Sequence, residues 1–159
     1  MRTRSRFDHV LRVRRFLILT GQRDVVAAWV AHQIRDMREP PTKDFEAIGA
    51  LDADGNLIGG FVYTEYRRLG YGTFNICLTA AGHGYWLTRS NLRAFMSYPF
   101  RQLNCSRMSA VIAKGNRKSR NIAERLGFVL EGKLRWWNGA GHDAVIYSLL
   151  RSECRWIGE

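Results

Sequence analysis

Short apolar runs and one-sided helical stripes follow one another along most of the chain. Residues 16–19 (Phe-Leu-Ile-Leu) read as a short buried strand. Val26, Trp29, Val30, Ile34 and Met37 then recur at helical spacing. They predict a helix over 22–37 that Thr20 caps and Pro40-Pro41 ends. Residues 45–51 and 57–66 read as strands, joined by the turn Asp52-Ala-Asp-Gly-Asn56, so the pair is an expected antiparallel hairpin. A turn over 67–70 leads to a strand over 73–78. Leu92, Phe95, Met96, Phe100 and Leu103 predict a helix over 90–103, which Pro99 should distort. Strands follow over 108–113 and 128–130, with 134–137 able to extend the second. A turn over 138–142, a strand over 143–150 and a short tail over 151–156 complete the chain. The order predicts one α/β domain, with no repeat or linker dividing it.

The most specific stretch runs from Asn116 to Gly132. Lys114-Gly115 break the strand before it, and Asn116 is a good N-cap. Ile122, Ala123 and Leu126 lie on one face of a short helix. Gly127 stands where a helix C-terminus needs positive φ, and Phe128 restarts strand character. Asn116, Ser119, Gly127-Phe128 and Glu131-Gly132 together resemble the end of the GNAT acyltransferase superfamily. With Leu134-Arg135 the likeness is greatest to the ribosomal-protein N-terminal acetyltransferase branch and to GNAT-like proteins of bacteria and phages. The resemblance covers roughly residues 16–156. It implies a GNAT fold: a mixed, mostly antiparallel central sheet flanked by helices, with a splayed parallel pair at the cofactor site.

That resemblance directs attention to Thr79-Ala-Ala-Gly82-His83-Gly84. The superfamily places a Gln or Arg, two residues, then Gly-x-Gly or Gly-x-Ala after its fourth strand, and the loop's amides cradle a pyrophosphate. Unpaired N–H groups at a helix N-terminus favour an anion, and glycines let backbone approach closely. Thr79 stands in place of the Gln or Arg here. Thr88 is a candidate N-cap, with Arg89 positioned to pair with phosphate. The resemblance therefore assigns acetyl-CoA to Leu78, Thr79, Ala80, Gly82, Gly84, Thr88, Arg89, Asn116, Ser119 and Arg120. It places the amide that stabilises the carbonyl oxygen near Leu78–Ala80.

Acyl transfer to an amine needs a neutral amine, and a lysine amine has a reference pKa of about 10.4. Candidate bases are His83, beside the cofactor loop, and Glu65, at a strand end facing the same cleft. The alternative readings are a plain loop residue for His83 and a solvated strand end for Glu65. Many relatives carry a Tyr seven residues after the helix-opening Asn as general acid; that position here is Ala123.

The 159-residue chain is 46% apolar, enough for one packed core, but 25 Lys and Arg face 14 Asp and Glu, a formal charge of +11. Such a surface attracts polyanions and anionic cofactors. Arg2, Arg4, Arg6, Arg12, Arg14 and Arg15 make residues 1–15 a basic arm, set apart from an acyltransferase domain over 16–159. No apolar segment is long enough for a membrane span. Cys77, Cys105 and Cys154 lack metal spacing and fit reduced thiols in the cytoplasm. The expected activity is acyl-CoA-dependent N-acyl transfer by direct attack, with a protein or nucleic acid as the amine-bearing partner and a monomer or homodimer both open. The alternatives are a phage-type nucleobase-modifying enzyme on the same fold, and a non-catalytic nucleic-acid-binding domain.

Overall fold

A computed structural model describes residues 17–34 and 39–158. The basic arm over 1–15, Phe16 and the stripe residue Met37 lie outside the described residues. The elements are β1 (Leu17–Leu19), α1 (Arg23–Gln33), β2 (Glu46–Leu51), β3 (Leu57–Arg68), β4 (Phe74–Gly82), α2 (Arg89–Ser97), β5 (Arg107–Ala113), α3 (Arg117–Leu126), β6 (Val129–Leu134) and β7 (Ala144–Leu150). The strands form one sheet in the order β1-β2-β3-β4-β5-β7-β6. Every neighbouring pair is antiparallel except β4 and β5, which run parallel.

Side-chain alternation sends successive residues of each strand to opposite faces. On one face, Val62 of β3 packs with Val26, Ala27 and Val30 of α1. On the other, Phe61, Tyr63, Ile76, Leu78, Met108 and Tyr147 pack with Trp86 and with Leu92, Phe95 and Met96 of α2. Phe61 and Phe95 stack with centroids 4.4 Å apart. The buried Tyr63 hydroxyl donates to the Phe95 carbonyl at 2.7 Å, which satisfies the one polar atom this aromatic core takes in from Tyr63.

Five local expectations are corrected. Helix α1 has Gln22 rather than Thr20 as N-cap, without a side-chain bond, and ends at Gln33 with Ile34 extended. Strand β3 continues through Arg68, because a bulge after Thr64 lets Arg67 and Arg68 pair with Asn75 and Phe74. Strand β4 continues through Gly82, because Gly82 still pairs with Gly59. Its end is therefore strand where a loop from Thr79 is expected. The helix over 90–103 is split: α2 stops at Ser97 and a π-turn spans Tyr98–Gln102. Pro99 lacks an N–H, and the ladder is re-formed at wider spacing, Leu103 N–H donating to Tyr98 at 3.0 Å. Finally, β6 stops at Leu134. Trp136 takes φ +57°, and its N–H donates to the Asp143 carboxylate at 3.0 Å, which turns the chain instead of extending the strand.

Helix α3 matches its expected ends. Asn116 Oδ1 accepts the Ser119 N–H at 3.1 Å, and Gly127 adopts φ +102°. The terminal segment then serves the same helix. Trp156 Nε1 donates to the Leu126 carbonyl at 2.8 Å and Arg155 donates to Arg125, so carbonyls left orphaned by the helix end are used.

Candidate active site

The site begins at the seam between β4 and β5. Only three residue pairs join them: Asn75 with Arg107, Ile76 with Met108, Cys77 with Ser109. Beyond Cys77 and Ser109 both strands run on, to Gly82 and Ala113, without pairing to each other. Alternate N–H and C=O groups of Leu78 to Gly82 thus face a gap instead of a neighbour. The backbone amide expected near Leu78–Ala80 lies along this gap. Leu78 points its side chain into the core, Thr79 is half-buried and Ala80 is exposed.

Each parted strand feeds a helix N-terminus. After β4, Thr88 caps α2: its Oγ1 accepts the Asn91 N–H at 3.1 Å and its carbonyl accepts the Leu92 N–H at 2.8 Å. The amides of Arg89 and Ser90 have no acceptor among the described residues, and Arg89 is exposed. Asn91 Nδ2 donates to the Trp86 carbonyl at 2.8 Å, which ties the preceding corner to the helix. Gly84 has φ +66° and open space where a Cβ would lie. Free amides at a capped helix start and an unobstructed glycine fit a bound phosphate. After β5, Asn116 caps α3 in the same way, but Arg120 is committed within the domain. Its Nε donates to the Tyr147 hydroxyl at 3.3 Å and its Nη1 to the Lys114 carbonyl at 3.0 Å.

Gly82 has a different local reason. A Cβ there would lie 2.3 Å from the Trp86 ring, and one on its partner Gly59 would lie 2.2 Å from it. The paired glycines form a flat floor on which the indole rests, so the need for a bare backbone at Gly82 is already met by Trp86. Sequence reading did not single out Trp86. The signal was present in two glycines on adjacent strands, but pairing Gly59 with Gly82 requires the register.

The two candidate bases are not brought together. His83 is exposed beyond the end of β4, its ring 5.9 Å from Trp29 of α1. Glu65 lies beside Cys77 at the closed end of the gap. Cys77 and His83 lie six positions apart, about 20 Å of extended chain. The structure adds three groups around Glu65. Ser109 Oγ donates to Asn75 Oδ1 at 2.7 Å, Asn75 Nδ2 lies 4.0 Å from Cys77 Sγ, and the Cys77 thiol donates to Glu65 Oε2 at 3.3 Å. Burial, then the bond to Glu65, push the Cys77 thiol up to about 11, so it is protonated at neutral pH. Glu65 itself takes φ +53° at the β3 bulge, a backbone state costing roughly 1–2 kcal/mol for a residue other than glycine. Tyr66 pins the bulge by stacking on Phe74 at 5.3 Å. On the opposite side of the sheet, Ala123 is buried in the core and carries no proton to donate.

Two surface depressions, of about 280 Å³ at Gly21–Val25 and Glu46 and about 590 Å³ around Thr73, Asn104 and Ser152, border none of these groups. Among the described residues no cluster of His, Cys, Asp and Glu could hold a metal ion, and no helix is long and apolar enough to cross a membrane.

A mixed sheet that parts at its single parallel seam, with a capped helix after each parted strand, is the GNAT architecture. The chain belongs to that family: the model of the acetyltransferase (GNAT) domain matches residues 7–129. It is 40% identical over 88 residues to YdaF of Bacillus subtilis (strain 168), a candidate ribosomal N-acetyltransferase, and the match spans 48% of this chain and 47% of that one. A solved structure described as a probable acetyltransferase shares 30% identity with a TM-score of 0.57, covering 70% of this chain and 64% of that one. The ribosomal-protein-S5-alanine acetyltransferase of Vibrio fischeri shares the fold at a TM-score of 0.64 and 17% identity, over 88% of this chain and 95% of that one.

Proposed function

We propose that this chain is an N-acetyltransferase that moves an acetyl group from acetyl-CoA directly to an amine. The observation that carries the reading is the seam that parts after Cys77 and Ser109, between two capped helix starts. Acetyl-CoA, when bound, supplies the acyl group as a thioester. The free amides of Arg89 and Ser90, with the Arg89 guanidinium, hold its phosphates. Backbone N–H groups of Leu78–Ala80 polarise the carbonyl oxygen. Glu65 accepts the proton that an incoming ammonium must lose, a role worth about 10²–10⁴ in rate. With Ala123 in place of a tyrosine, the departing sulfur takes its proton from water or from a group elsewhere.

The acceptor is an amine on an acidic macromolecule. The formal charge of +11 supports this, and so does the ribosomal acceptor in the name of the Bacillus relative. The rim at the open end of the seam fits as well, because Lys114, Arg117, Lys118, Arg135, Trp136 and Trp137 are all exposed there. Isothermal titration with acetyl-CoA tests the donor: binding heat that weakens on Arg89→Glu is expected, and no heat at millimolar cofactor refutes the reading. Deleting residues 1–12 tests the partner. Affinity for ribosomes or RNA should fall, with a shallower salt dependence, while stability holds. Unchanged binding across the salt range removes the acidic partner and leaves a small-molecule amine.

A further inference from the structure

We infer that Cys77 is a positioning residue: locked from behind by Asn75 and Ser109, its thiol holds the Glu65 carboxylate at the closed end of the parted seam, where the acceptor amine loses its proton. This rests on the acetyltransferase reading and adds residues that the reading does not need.

Cys77 and Ser109 are the last residue pair before β4 and β5 separate. Asn75, Cys77 and Ser109 share a sheet face by alternation, the face that α1 covers nearer the open end. Asn75 and Ser109 are only 3% and 5% exposed, so their mutual bond at 2.7 Å is sheltered from water. It fixes the Asn75 amide, whose Nδ2 faces Cys77 Sγ. The thiol has no reason to be cysteine as packing alone, since its face here is polar. As a donor to Glu65 Oε2 at 3.3 Å it has one. Glu65 Oε1 has no partner among the described residues and is free for an amine. The bulge between Thr64 and Arg67, with Glu65 in the left-handed region, brings the carboxylate to the thiol. Arg67 on β3 and Arg107 on β5 are the other charged groups that bear on Cys77.

A thiol that stays protonated is suited to this task. It orients the carboxylate without a positive charge that would oppose proton uptake, as an arginine would. It also gives no competing thiolate nucleophile beside a thioester.

The unliganded protein supplies the first readout. Peptide-resolved alkylation by iodoacetamide, followed from neutral to strongly alkaline pH, gives the Cys77 midpoint. It is expected near 11 in the unaltered protein and lower in Glu65→Gln, where the carboxylate charge is gone. The second readout is turnover with acetyl-CoA and an N-terminal alanyl peptide. Cys77→Ala should lower kcat/KM for the peptide about 10- to 100-fold and move the acid limb of its pH profile, with acetyl-CoA affinity unchanged. Cys77→Ser, which keeps a donor, should recover most of the loss. An alkylation midpoint identical in the unaltered protein and in Glu65→Gln overturns the inference, and decides alone if the peptide is a poor acceptor. So does a Cys77→Ala enzyme with unaltered kcat/KM and an unmoved acid limb. Absence of acetyl-CoA binding in the unaltered protein sinks the acetyltransferase reading and this inference with it, whereas intact binding and turnover with an unmoved midpoint sink this inference alone.

Discussion

The two halves of the β4–β5 seam are built on different physics. In the paired half, from Asn75 to Cys77, the strands are zipped by backbone bonds and sealed on one face by polar side chains: Asn75, Ser109, Cys77. In the parted half, from Leu78 to Gly82, no such ladder exists on the β5 side. That half keeps its ladder to β3 and is backed on one face by packing, with Trp86 laid on Gly59 and Gly82 and wedged against Phe61 and Phe95. An opened seam sacrifices hydrogen bonds that a closed sheet would make, so its strand must be anchored from a face. The difference explains how one sheet can hold rigid acid–base groups at one end and an accessible backbone at the other.

The largest test of this contrast is Trp86→Ala. The ring is 6% exposed, and removing it should cost about 3–5 kcal/mol in urea unfolding. A loss below about 1 kcal/mol would mean that the parted half is held by something else. Gly82→Ala should also destabilise, because its Cβ would enter the ring. In the Trp86→Ala background the same change should cost far less, since the two sites share one contact.

Next in size is Asn75→Ala in the paired half. It strands the buried Ser109 hydroxyl, at about 1–3 kcal/mol. The double variant with Ser109→Ala should cost less than the sum of the singles, because no buried group is then left unpaired. Strict additivity would show that the polar chain does not act as a unit.

Such contacts also mark where sequence reading stopped. The α3 unit was legible because its signals are local: Asn116 caps, a stripe follows, Gly127 stops, and each acts within one helical turn. The mostly antiparallel sheet and its splayed parallel pair come through resemblance and are found as expected, whereas the strand order is read only from the structure. What was missed depends on register. Glu65 was singled out, but its bulge was not, since an extra residue in β3 has no composition of its own. Asn75, Cys77 and Ser109 read as ordinary strand residues until pairing aligns them. The resemblance implies a loop over Thr79–Gly84, whereas Gly82 here continues a strand so that an indole can lie against it.

The two helix starts offer a smaller effect that sharpens the contrast. Thr88→Ala removes the α2 cap and should cost about 1 kcal/mol, and Thr88→Ser should restore it. Asn116→Ala at α3 should cost about the same. Titration with acetyl-CoA then separates the two caps. The α2 variant should weaken binding more, because the exposed Arg89 side chain has no partner among the described residues whereas Arg120 is already committed to Tyr147 and Lys114. Equal weakening would show that both helix starts hold the cofactor alike.

The smallest effect concerns the outer flank of the paired half, where Arg107 donates two bonds to Glu131, at 2.7 and 2.5 Å, and Ser148 adds a third at 2.6 Å. These bonds, that of Arg107 first, lower the Glu131 carboxyl to about 2. A carboxyl whose pKa is lower in the folded chain than in the unfolded one stabilises the fold above its unfolded value. That contribution is lost as pH falls from the ordinary carboxylate range of about 4.3 toward the folded pKa. The Glu131 side chain is 38% exposed, so solvent screening keeps the net contribution under about 1 kcal/mol. Urea unfolding at neutral pH and near pH 3 measures it. Stability should fall on acidification by slightly more in the unaltered protein than in Glu131→Gln, which has no carboxyl to protonate. Ser148→Ala should give an intermediate value, since Arg107 still holds the carboxylate. If Glu131→Gln loses as much stability as the unaltered protein, the ion pair contributes nothing, and the paired half rests on its buried polar chain and backbone bonds alone.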